Sequence, residues 1–278
     1  MKNNILYKYS SLENTRKILN SKTLKLTNPN DFNDPFDCNI PTIEYNFNRI
    51  SKKVKNIFLK SNGKGSNISK KKWNKEFFEF DQIKNELLEF FKSIKKDWEK
   101  YIGFYRILSL TKNNNSILMW SHYADHHKGV VLGFDFSDSK TYSPIKQVKY
   151  NNKDNLETKK FFDKVFIDIF NELAMNINTE YSEDKFAFKL MSHLHLYFFI
   201  KNEVWSYENE YRLVLKDKRK FLDFKNTQLK EIIFGIKVSK EERELFLKDF
   251  DYLNSYDIFI AEEKNNKLNL VKLDNYKE

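Results

Sequence analysis

The sequence of 278 residues holds one cysteine, Cys38. That excludes an intramolecular disulfide framework and any zinc cluster built on cysteine ligands, and it fits a reducing compartment. Glycine and proline are scarce, at 6 and 4 residues. The glycines at 63 and 65 form no phosphate loop, since no Gly-Lys-Ser/Thr follows a strand, and no nucleotide-triphosphate motif is present. Long apolar runs are missing too. The N-terminal MKNNILYKYSSLENTRK lacks the apolar core of a signal peptide, and the longest apolar patch, Leu196-Tyr-Phe-Phe-Ile200, is far too short to span a bilayer. The expectation is a cytoplasmic, soluble protein with no membrane partner. No internal repeat or low-complexity linker divides the chain.

What the sequence does contain is aromatic and charged. With 26 Phe, 15 Tyr and 40% hydrophobic residues it can bury a sizeable core, which argues against disorder despite 32% charged residues. The excess of 49 Lys and Arg over 39 Asp and Glu gives a net charge of +10, the kind of surface that attracts phosphate backbones. The abundance of Lys, Asn, Ile and Phe is equally the signature of AT-rich coding DNA, so the charge alone does not identify a nucleic-acid partner.

Along the chain, ILYKY at 5–9 reads as a strand, and Ser10-Ser-Leu-Glu13 as a capping box opening a helix to about Asn20. Thr23–Leu26 is a second strand, and TNPNDFNDPFDCN at 27–39 an ordered loop whose Asn and Asp side chains bond their own backbone. Residues 46–102 carry a helical pattern, interrupted at Ser61–Ser66. Strands are expected at 104–111, 130–136, 147–150, 205–215, 229–235, 257–261 and 267–273. Helices are expected at 116–129, stopped by Gly129, and at 155–176, 183–201 and 240–254. The fold class is therefore α+β: one domain over 1–278, with a mixed or antiparallel core of short strands and a helical insertion at about 46–102.

The segment WSYENEYRLVL at 205–215 carries the most chemistry. Read as one strand, it sends Tyr211, Leu213 and Leu215 to a core face and Glu208, Glu210 and Arg212 to a polar face. Two carboxylates placed together can polarise a hydroxyl and stabilise a developing cation. The alternative is a charged edge strand kept polar for solubility. His122 and His126 are spaced to hold zinc from one helix face, but no third ligand is evident, so no metal is assigned. Trp120 and Tyr123 are expected to anchor that helix to the sheet, leaving His122 as a polar or substrate-facing side chain. Asp31, Asp34 and Asp37 depart from the calcium-loop spacing and read as a structural turn.

The blocks LYKYSSLENTRKIL at 6–19, LKLTNPNDFNDPFD at 24–37, ILSLTKNNNSILMWSHYADHHKGVVLGFD at 107–135, a strand at 147–150, KNEVWSYENEYRLV at 201–214 and LKEIIFGIKVSKEE at 229–242 follow one another over most of the chain. Taken in that order they resemble a bacterial family of unknown function, domain-of-unknown-function family 2971. The order of an aromatic strand, a serine/threonine strand and a late Glu-x-Glu strand is more distantly similar to ADP-ribosyltransferases, whose sheet is split around NAD. That resemblance implies NAD as co-substrate, with Tyr7 or Tyr9 holding it and Ser109 and Thr111 on the middle strand. It makes Glu210 the catalytic glutamate and Glu208 the group orienting the acceptor, and His122 and Arg212 complete the set expected around NAD. The implied activity is cleavage of the nicotinamide–ribose bond and modification of a nucleic acid or protein, in a toxin or antiviral-defence effector. Two other readings stand beside it: a metal-dependent nuclease using Asp34, Asp37, Glu208 and Glu210, and a non-catalytic module binding a ligand or partner through the acidic face and the Trp120/His122 helix.

Overall fold

The structure is a computed structural model that describes residues 4–40, 89, 93, 96–137, 144–151, 160, 163–164 and 194–273. The chain is arranged in two compact units, one of Met1–Asp37, Ile102–Tyr150 and Phe199–Glu278, the other of Cys38–Tyr101 and Asn151–Phe198. In the second unit, the buried Trp98 donates from its indole nitrogen to the Cys38 carbonyl at 2.7 Å and packs against Tyr101, Tyr197 and Phe198. Most of the helices expected at 46–102, 155–176 and 183–201 lie outside the described residues. Where the last of these is described, a 3-10 turn at His195–Phe199 replaces the α-helix and leads into a strand.

The first unit is built on an eight-stranded sheet. Its strands are β1 (Ile5–Ser10), β3 (Tyr105–Thr111), β4 (Val130–Asp135), β5 (Lys146–Gln147), β8 (Glu210–Lys216), β10 (Leu229–Phe234), β11 (Asp257–Lys264) and β12 (Lys267–Lys272). The order is β12-β11-β10-β4-β1-β3-β8-β5, antiparallel except between β10 and β11. Two small ladders accompany it, β2 (Thr23–Lys25) with β9 (Phe221–Asp223) and β6 (Lys149–Tyr150) with β7 (Ile200–Lys201). Helices α1 (Leu12–Ser21), α2 (Ile117–Tyr123) and α3 (Lys240–Asp249) belong to the same unit. This is the α+β class with a mixed sheet that the sequence leads one to expect, and none of the described helices is long and apolar enough to cross a membrane.

Alternation along the strands separates two cores. Leu6, Leu108, Leu132, Leu213, Ile232 and Phe234 form one, together with Leu19 of α1 and Phe246 and Leu247 of α3. Tyr7, Tyr9, Val131 and Ile233 face the other way and are covered by Met119 and Trp120 of α2. Trp120 is fully buried and meets Tyr9 edge-on at 5.3 Å, so it anchors α2 to the sheet as its spacing suggests.

The local signals are mostly used, with shifts of a few residues. Ser11 rather than Ser10 caps α1, because Ser10 still pairs with Val130 in the sheet. The Ser239/Glu242 capping box opens α3, which ends at Asp249 and hands over to a 3-10 turn. Helix α2 also stops early, at Tyr123. Asp125, His126 and His127 then take left-handed backbone conformations, with φ of 48°, 53° and 72°, which turn the chain back into β4. Gly129 is required at the end of that turn: a Cβ there would lie 2.1 Å from the Ser10 carbonyl oxygen.

β1 is unlike its neighbours. It zips along β4 through six residue pairs, from Ile5 opposite Asp135 to Ser10 opposite Val130, yet meets β3 at a single pair, Tyr7 opposite Thr111. Further along β3, Ile107 exchanges both backbone bonds with Thr27 at 2.9 Å, and between these two points the Ser109 carbonyl accepts from the Lys8 ammonium at 3.1 Å. Residues 107, 109 and 111 present their backbone groups to the same edge of β3. A loop residue, a side chain and one strand residue therefore satisfy an edge that a continuous ladder would have closed. The sheet parts there.

Candidate functional site

The segment 205–215 is not one strand. Glu203–Glu208 form a 3-10 turn capped by Asn202, Asn209 turns left-handed at φ 42°, and β8 begins at Glu210. The alternation holds from Glu210 onward and fails before it. Glu208 nevertheless reaches the same place, because β3 holds its turn: the Thr111 hydroxyl donates to the Glu208 carbonyl and the Asn113 side chain to that of Tyr207. Both glutamates and Arg212 are buried, at 4%, 4% and 1% exposure, so the reading as a solvated charged edge is wrong.

Around them lies a cavity of about 300 Å³ at the parting of β1 and β3. Its floor comes from three neighbouring strands, with Tyr7 and Tyr9 from β1, Ser109 and Thr111 from β3, and Glu210 and Arg212 from β8. Met119 and Tyr123 of α2, Phe32 and Asp37 of the 27–37 loop, Lys201 of β7 and Glu208 are among the other residues that line it, as is Lys8 of β1. Of the eight site residues read from the sequence, His122 alone does not line it. It is exposed, its ring 6.2 Å from those of Tyr123 and Tyr207, and Tyr123 stands where His122 was expected. The Tyr7 hydroxyl donates to Glu231 at 3.0 Å and the Tyr9 hydroxyl to the Asn113 carbonyl at 2.9 Å, so both tyrosines already have partners.

At one end the cavity is lined by a compact ion cluster. Arg212 donates from Nε and an Nη to the two oxygens of Glu210 at 2.7 and 2.8 Å, and both Nη groups reach Asp37, one at 2.8 Å. This is the fork geometry that makes arginine the preferred partner for buried carboxylates. The Phe32 ring lies 5.3 Å from the guanidinium. Lys201 donates to Glu208 at 2.6 Å and lies 3.5 Å from both Glu210 and Asp37, while the Tyr123 hydroxyl donates to the other Glu208 oxygen at 2.6 Å. The Glu210 amide donates to the Tyr150 hydroxyl at 2.7 Å.

The two carboxyls respond oppositely. Burial alone would raise both. At Glu210 the Arg212 guanidinium overcomes it and holds the group at about 2. At Glu208 burial wins over Lys201, with the Glu210 charge adding to it, and the group sits above the ordinary carboxylate range. Adjacent acids driven apart in this way can divide the roles of fixed charge and proton carrier between them. Lys8, at the parting, is pushed below the usual lysine range by burial, with the Glu210 charge opposing.

Sequence reasoning did not place Lys201, Tyr150 or Lys8 in the site, and read Asp37 as part of a structural turn or as a ligand in the nuclease reading. Lys201 had a signal. It ends the apolar run 196–200 and opens the block KNEVWSYENEYRLV, where a lysine among aromatic residues has to be buried with a partner.

Residues 119–213 match the family described as Protein of unknown function (DUF2971). The DUF2971 match runs from α2 into β8 and so contains Tyr123, Tyr150, Lys201, Glu208, Glu210 and Arg212. No curated protein and no solved structure matches the chain significantly.

Proposed function

We propose that the cavity is the active site of an ADP-ribosyltransferase-like enzyme that cleaves NAD at the nicotinamide–ribose bond and passes the ADP-ribosyl group to a nucleic-acid or protein acceptor. The observation that carries this reading is the pair of buried glutamates with opposed proton affinities, set where the sheet parts between β1 and β3. About 300 Å³ is at the lower end of the range for small-molecule sites. That is suited to the reacting end of a dinucleotide, with the remainder lying outside.

In this reading the C1′–N bond of the nicotinamide breaks and its electron pair leaves with the neutral ring. Positive charge develops on the ribose. The three carboxylates of Asp37, Glu208 and Glu210 outnumber Lys201 and Arg212 by one, so with Glu208 ionised the cluster favours that charge more than it favours the substrate. Glu210, clamped by Arg212, supplies the part of this charge that does not titrate near neutral pH. Glu208 takes the proton of the acceptor nucleophile as the new bond to C1′ forms.

Nicotinamide release tests it, with nucleic-acid and protein acceptors supplied in turn. Glu208→Gln should lower release by about 100-fold or more while the thermal midpoint stays near wild type. The reading fails if the wild type neither binds nor cleaves NAD with any acceptor. The nuclease reading draws on three carboxylates that converge here, but each is engaged by Lys201 or Arg212, and Asp34 accepts from the Phe36 amide away from the cavity lining. Magnesium-dependent cleavage of nucleic acid would restore it.

A further inference from the structure

Lys201 is the ammonium that all three buried carboxylates share. Its side chain is 6% exposed and lies 4.9 Å from the Trp205 ring, 2.6 Å from Glu208, and 3.5 Å from both Glu210 and Asp37. The Arg212 fork is directed at Glu210 and Asp37. Glu208 is held instead by one oxygen on Lys201 and the other on the Tyr123 hydroxyl. Tyrosine can orient a carboxylate but brings no charge to it.

We infer that Lys201 is the positioning residue that decides whether Glu208 carries a proton, acting through its Nζ–Oε2 bond and its charge. The titratable and charged groups around Glu208 come from five elements: Lys201 from β7, Tyr123 from α2, Tyr150 from β6, Glu210 and Arg212 from β8, and Asp37 from the 27–37 loop. Tyr207 sits beside it on the 3-10 turn. Burial raises all three tyrosines, which stay neutral across the working range. Glu210 opposes ionisation of Glu208, and Lys201 is the cation in contact that favours it. Without that cation, burial and the Glu210 charge would push Glu208 further towards its protonated form, opposed by the Tyr123 hydrogen bond.

The kinetic half of the test rests on the proposed function; the spectroscopic half does not. With NAD as the probe, the acid limb of nicotinamide release should move to higher pH in Lys201→Met by about one unit or more, a tenfold loss per unit on that limb. Lys201→Arg should restore the limb to within a few tenths. Carbon-13 NMR of the Glu208 carboxyl, assigned by the signal missing from Glu208→Gln, should show the same displacement with no substrate present. Lys201→Gln, which keeps a donor without the charge, serves if the Met variant does not fold. Unchanged titration of Glu208 in either neutral variant overturns the inference, as does a displacement in Lys201→Arg equal to that in the neutral variants. If the wild type releases no nicotinamide but Glu208 titrates as described, the function falls and the role of Lys201 stands.

Discussion

The two edges of β1 are made of the same six residues and end differently. Against β4 every residue from Ile5 to Ser10 has a partner strand residue; against β3 only Tyr7 does. On the zipped side Val131, Leu132 and Phe134 are fully buried, and Gly133 lies 3.0 Å, measured from an added Cβ, from both the Ile5 and Tyr7 side chains. On the parted side the backbone groups of β3 are met by Thr27 and Lys8, and the space gained is lined by ions. A complete ladder leaves the side chains only packing to do. An incomplete ladder must recruit polar side chains, and those are the raw material of a site.

The largest effect should come from breaking the parted side at Arg212. Arg212→Met takes the guanidinium fork from the buried Glu210 and Asp37, leaving Lys201 at 3.5 Å from each, and should cost about 3–5 kcal/mol, read by chemical denaturation at pH 7. The pH dependence sharpens the point. Because Glu210 is held at about 2, the folded state binds its proton less readily than the unfolded chain does. Its contribution is full above the ordinary carboxylate range and is lost as the pH falls towards 2. That acid-sensitive component should shrink in Arg212→Met, where the largest cause of the lowering is gone and Lys201 remains.

On the zipped side, Leu132→Ala removes a fully buried side chain opposite Lys8 and should cost about 3 kcal/mol. No change in its pH dependence is expected, since no ionised group is disturbed; an acid-sensitive loss there would dissolve the contrast between the two edges. The smallest effect belongs to Lys8→Met, which leaves the Ser109 carbonyl without its ammonium donor. About 1 kcal/mol in urea unfolding is expected, reduced by the desolvation that the buried amine no longer suffers.

The fold was legible where local signals act alone. Strands β1, β3, β4 and β10 and the serine-capped helices α1 and α3 follow from aromatic and β-branched runs and from side chains that bond their own backbone. The face shared by Glu210 and Arg212 follows from alternation within β8. The convergence of Glu208 does not. It depends on a left-handed Asn209 and on a hydroxyl from Thr111, far away in sequence, and a two-residue spacing read as a strand arrived at the right neighbour by the wrong geometry. Asp37 was hidden for the same reason, since nothing local to it shows that a guanidinium waits across the fold, and the apolar run before Lys201 marks a buried lysine without naming its carboxylates. His122 was misplaced because the helix period brings Tyr123, not His122, to the cavity.

The bond between Asp37 and Arg212 spans 175 residues of sequence. While the chain is being synthesised, the first of these residues waits exposed for the second, and the pocket is not closed until β8 has left the ribosome. A truncated product ending before Arg212 would carry Tyr7, Tyr9, Ser109 and Thr111 of the cavity without the guanidinium that holds Glu210 and Asp37.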